Sequence, residues 1–187
     1  MRLRYKDKKA AQAAAYLVYL HKAPINVISL LKMLYLADRK ALVESGYPIT
    51  GDTMVCMDHG PVLSRTYDLI KWNYHKSVWY DYLTARSNNK ISLAVEAPPD
   101  QDELSDYEIT VLNEIHKTYG QLDPFKLSEI THRLPEYVNP DGSSISIEPA
   151  DILRAEGKSD QEVERLTHEA EQAYQFGNIL HGSTTRT

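Results

Sequence analysis

Apolar residues recur at helical spacing along most of this chain. Between Asp7 and His21, Ala11, Ala14, Ala15 and Val18 fall three or four residues apart, which predicts a first helix with small, closely packing side chains. "APIN" breaks it. Asn26 is placed to cap a second helix reaching Glu44, with Gly46 at its C-terminal end and Pro48 stopping propagation. Wound at about 100° per residue, this helix gathers Val27, Ile28, Leu30, Leu31, Leu34, Tyr35, Ala41 and Leu42 on an arc of roughly 160°. Asp38 falls near the middle of that arc. A buried carboxylate is costly unless something reaches it. The expected partners are N–H groups at the start of the next helix and the His59 side chain, so that Asp38 pins the "DHGPV" turn onto the second helix.

That next helix is expected to begin at Gly60-Pro61, with Pro61 near its first position. Val62, Leu63, Thr66, Tyr67, Leu69, Ile70 and Tyr74 share its apolar face, and Trp72 lies on the polar side. "ITGDTMVCM" before it reads as a loop and a short extended piece. "SVWYDYLTARSNNKISLAVEA" then changes character, with two aromatic or β-branched stretches flanking Ser87-Asn88-Asn89, a hairpin signal. Ser105 and Glu108 form a capping box for a helix to about Tyr119; Asp123-Pro124 opens another, running towards His132. Glu148-Pro149 opens a short helix closed by Gly157, and Ser159 with Glu162 caps the last one. That last helix carries a narrow seam of Val163, Leu166, Ala170, Ala173, Gly177 and Leu180. The expected organisation is a mainly α, compact domain with a small β-hairpin over residues 1–158. A C-terminal helix over 159–187 docks on it or on a partner.

Composition narrows the function classes. The 187 residues carry a net charge of −5, and a general nucleic-acid binder would show a basic excess. One cysteine, Cys56, excludes an internal disulfide and any zinc site of several thiolates. No apolar run is long enough to span a membrane, and the N-terminus lacks a signal peptide's hydrophobic core, so a cytoplasmic protein is expected. A nucleophile would need Cys56 paired with His59 or His132, and their spacing does not establish that geometry. Asp52, Asp58, His59 and His132 could be gathered around a metal, but no spaced ligand signature joins them. No metal, no cofactor and no catalytic residue is expected.

The stretch "LLKMLYLADRKAL" followed by "GYPITGDTMVCMDHGPVLSRTYDLI" resembles the Panacea domain of SocA-like antitoxins. The matching positions include Tyr35, Asp38, Arg39, Thr50, His59, Gly60, Pro61 and Tyr67, with Thr131 and His132 in the later "LSEITHRLPEY". Family members often carry a tryptophan shortly after that Thr-His pair; Tyr137 stands near it here. The resemblance implies a helical antitoxin of a bacterial or phage toxin–antitoxin pair that neutralises a cognate toxin, encoded in the same operon, by direct binding. One branch of the family instead delivers its toxin to the ClpXP protease. Trp72, Tyr80 and Tyr82 are the expected toxin contacts, because the shared motif residues are taken up by the core. Two rival readings stand beside this one. One is a small cytoplasmic hydrolase using His59, Asp38 or Cys56; the other is a DNA-binding regulator with the hairpin as a wing.

Overall fold

Two helices, α1 (Asp7–His21) and α2 (Val27–Ser45), are enclosed by the rest of the chain in the computed structural model, which describes residues 1–72 and 76–182 and the side chains as far as Phe176. In α1 every residue from Ala10 to Val18 is buried. Five of those nine are alanines, and their small volume lets neighbouring helices pack against several sides of α1. Gln12 is the polar member, and it is satisfied: Nε2 donates to Tyr82 Oη (3.1 Å) and Asp102 (2.5 Å), while Oε1 accepts from Glu103 N–H (3.0 Å).

The expected caps of α2 are in place. Asn26 accepts from Ile28 N–H at 2.8 Å, and Gly46 ends the helix at φ +85°. A Cβ at Gly46 would also collide with Leu166. Burial differs from the one-sided arc, however. Every residue from Ser29 to Asp38 is buried, including Lys32 and Met33. The helix is covered all round because α1, α5 (Asp106–Tyr119), α6 (Pro124–His132) and a small sheet all pack on it.

That sheet has β2 (Met54–Cys56) in the middle, antiparallel to β3 (Val62–Leu63) and β5 (Ile145–Ser146). It corrects the third helix. Val62 and Leu63 pair with Val55 and Met54 as a strand, so α3 runs from Ser64 to Trp72 and Pro61 belongs to the β2–β3 loop. The helix starts later because Asp52 supplies acceptors to Arg65 and Thr66. Of the apolar face expected on that helix, Tyr74 lies outside the described residues.

The hairpin is present but shorter than its aromatic flank suggested. Ser87 and Lys90 exchange both backbone hydrogen bonds (3.0 and 2.8 Å) around Asn88 and Asn89, at φ +48° and +60°. This is the turn that suits two left-handed residues. Below the turn, Lys90–Ile91 forms β4, paired with β1 (Ile25–Asn26). The Trp79–Tyr82 stretch is a helical turn, α4, because Ser77 Oγ accepts from Trp79 N–H and Leu83 N–H closes back on the Trp79 carbonyl. It buries Trp79. Both capping boxes form, at Ser105/Glu108 and Ser159/Glu162. A short α7 (Pro149–Ala155) leads to α8 (Asp160–Gly182), whose Val163, Leu166 and Ala170 are buried while Ala173 is exposed. The seam positions Gly177 and Leu180 lie outside the described side chains.

Candidate functional site

The family-like residues fall into two groups along α2. At its C-terminal part, Asp38 is 1% exposed and accepts from Thr50 N–H at 3.0 Å, from the Thr50 hydroxyl and from the Ile49 backbone. Its partners are therefore the 49–50 turn. The DHGPV turn and His59, expected to hold it, do not. A second carboxylate, Asp52, takes the role that had been assigned to Asp38. It caps α3, accepting from Arg65 N–H (3.1 Å), Thr66 N–H (2.9 Å) and the Thr66 hydroxyl (2.9 Å). Thr50 Oγ1 links the two acids, donating to Asp38 and accepting from Asp52 N–H at 3.1 Å. Burial pushes the Asp38 carboxyl up to about 7, against the Thr50 hydrogen bonds and with help from the Asp52 charge; burial also raises Asp52.

One turn away, Tyr35 and Arg39 converge on Glu136. Tyr35 donates to Glu136 Oε1 at 2.7 Å, and Arg39 grips both carboxylate oxygens at 2.7 and 3.2 Å while also reaching Glu156 at 2.6 Å. Burial alone would raise the Glu136 carboxyl, but Arg39 and Tyr35 hold it below the usual range. Glu136 had not been singled out from sequence. Its only signal there is that a lone acid follows Pro135 in "RLPEY".

The other group surrounds Gly60, at φ +91° in the β2–β3 loop. A Cβ there would stand 2.7 Å from Thr131 Oγ1 and 3.0 Å from both His132 Cδ2 and Lys32 Nζ. Glycine is required by conformation and by space alike. Thr131 is fully buried and donates to the Ser128 carbonyl at 2.8 Å. His132 stacks on Tyr137, centroids 4.5 Å apart, so the tyrosine fills the place near the Thr-His pair. Burial, then the Lys32 charge, lower the His132 imidazole below its ordinary value. His59 is exposed, but its carbonyl ties the loop to α6 by accepting from Ser128 Oγ at 2.5 Å. Tyr67 is half-buried beside Lys71, whose Nζ lies 5.4 Å from its ring centroid.

Lys32 is the residue that sequence reasoning missed. It is 1% exposed, donates to the Pro61 carbonyl at 2.9 Å, and is pulled down to about 7 by burial. It lies beyond the edge of the apolar arc, where a lysine reads as solvated.

The residues of the hydrolase reading are not brought together. Cys56 Sγ is occupied by the backbone, accepting from Val138 N–H (3.3 Å) and donating to the Glu136 carbonyl (3.6 Å). The Asp38 oxygens face the 49–50 turn. Among the described residues no group of three or more His, Cys, Asp or Glu side chains is arranged to hold a metal ion. No described helix is long and apolar enough to cross a membrane. The expected surface residues differ in freedom. Tyr80 donates to the Leu69 carbonyl (3.1 Å) and Tyr82 accepts from Gln12 (3.1 Å), whereas Trp72 is 59% exposed beneath Lys71.

The family model for the antitoxin SocA-like Panacea domain matches residues 30–136, a span that begins in α2 and ends at the Glu136 that Arg39 and Tyr35 hold. The chain belongs to the SocA-like Panacea family. Its matched span holds both groups around α2, so the Panacea signature here coincides with the polar contacts that fix α2 to the loops and to α6. No curated protein and no solved structure matches the chain. Membership in an antitoxin family makes a toxin the general class of partner.

Proposed function

We propose that this protein neutralises a cognate toxin, encoded beside it, by direct protein–protein binding. Family membership over residues 30–136 carries the reading. The burial of the motif supports a division of labour within it. Tyr35, Asp38, Thr50, Gly60, Pro61 and Thr131 are buried, and Arg39 is committed to Glu136 and Glu156. Such residues maintain the fold and leave recognition to the outer surface. Trp72 is the leading contact, ahead of the half-buried Tyr80 and Tyr82, because exposed aromatic side chains commonly dominate interface energetics.

Co-expression with the adjacent gene tests this. The neighbour alone arrests growth, the pair grows, and a complex co-purifies. Trp72→Ala weakens rescue without changing the melting temperature. A harmless neighbour, or rescue with no detectable complex, overturns direct neutralisation. Rescue that disappears in a host lacking ClpX assigns the protein to proteolytic delivery instead of occlusion.

A further inference from the structure

A cavity of about 420 Å³ opens between the start of α2, the β2–β3 loop, α3 and the tip of the hairpin. Its volume falls in the range of small-molecule sites. Val27, Ile28, Leu31, Met57, Val62 and Tyr67 give it largely apolar walls. Lys32 and Gly60 line it together, and the 3.0 Å between Lys32 Nζ and the missing Gly60 Cβ puts the amine at the Gly60 end. Asp58, His59, Arg86 and Asn89 complete the lining.

The charges in this cavity do not balance. An ammonium has three N–H donors, and Lys32 uses one, on the Pro61 carbonyl. No carboxylate among the described residues pairs with it. Among the described residues Asp58 is the single acid in the lining, and its Oδ1 is engaged elsewhere, accepting from Gly142 N–H at 2.9 Å. A cation buried without a counter-ion is costly, which fits the lowered basicity of Lys32. The cost is relieved by an anion that brings its own apolar surface. A carboxylate has two acceptor oxygens for the two unused donors, and a hydrocarbon body suits the walls. A phosphate would bring more charge and more acceptors than one buried lysine can meet.

We propose that this cavity binds a small monocarboxylate with an apolar body, its carboxylate on Lys32 at the Gly60 end and Arg86 at the mouth. The site is separate from Trp72 and does not depend on the toxin-binding reading.

Hexanoate, hexanamide and hexylamine serve as probes, titrated into the full ¹⁵N-labelled chain and followed by amide chemical shifts. Hexanoate gives saturable shifts confined to residues 57–62, 86–89, the turn of α3 around Tyr67 and the first turns of α2. Hexanamide and hexylamine bind at least tenfold more weakly. Lys32→Met, which keeps an apolar side chain of similar length, lowers hexanoate affinity at least tenfold. Absent or scattered shifts, hexanamide binding as well as hexanoate, or an unchanged affinity in Lys32→Met each overturn the proposal. The three-probe series on the wild-type chain decides the matter even if the variant fails to fold.

Discussion

Lys32 and Asp38 sit on the same helix, six residues apart, and are equally buried, yet their surroundings are opposites. Asp38 meets three donors from one short turn, and the turn is held in place by them. Lys32 meets a single carbonyl among the described residues and borders a cavity. The difference separates two uses of a buried charge. A charge whose hydrogen-bonding capacity is filled by its own chain acts as a fastener. A charge left with spare donors beside open space is equipped for something that comes from outside.

The largest effect should come from removing the fastener. Asp38→Ala strands the Thr50 and Ile49 donors in the interior, and unfolding in urea should show a loss of about 3 kcal/mol, the upper end for unsatisfied buried groups. A near-wild-type midpoint would place Asp38 in the same class as Lys32. Gly60→Ala should cost about 2 kcal/mol in the same assay. Its Cβ needs a left-handed backbone and crowds Thr131, His132 and Lys32.

The pH dependence of stability offers a sharper contrast, because the two groups act in opposite directions. Asp38 is raised to about 7 from an ordinary value of about 4. Its folded form holds the proton more tightly, so this contribution is complete below pH ~4 and is lost as pH rises towards ~7. Lys32 is lowered to about 7 from about 10.4. Its penalty is complete below pH ~7 and lifts as pH rises to ~10. Chemical denaturation across this range should therefore show a shallower descending limb in Asp38→Asn, the remainder belonging to Asp52, and a lost ascending limb in Lys32→Met. At pH 7, Lys32→Met should lie within about 1 kcal/mol of wild type, since an unpaired buried charge is replaced by an apolar side chain. If Lys32→Met were as damaging as Asp38→Ala, the lysine would be a fastener too. Trp72→Ala should change stability least, by under about 0.5 kcal/mol, because it touches neither region of α2.

What sequence could reveal follows the same division. Helix ends declare themselves in neighbouring residues, and Asn26, Gly46, the two capping boxes and Asp123-Pro124 lie where the caps form. Asp38 stood out because an acid interrupts an apolar arc. Its partner could not be read, since Thr50 is brought to it only by the reversal of chain after Gly46. Pro61 is misassigned for a related reason. Gly-Pro suits a helix start locally, and only pairing with Val55 and Met54 turns Val62-Leu63 into a strand. Lys32 was hidden because a helical wheel assumes one wet side, and α2 has none from Ser29 to Asp38. Glu136 carries no periodic signal, and it matters only because Arg39 and Tyr35 reach it from a hundred residues earlier in the chain.

The enclosure of α1 sets an order in time. The helix is made first, but its chief neighbours, α4 and α5, come later, α5 ending only at Tyr119. At about 5–20 residues per second, the ribosome needs roughly 5–20 s to supply them. During that interval α2 is already made, but the alanine-rich segment still lacks the α4 and α5 cover that completes its burial.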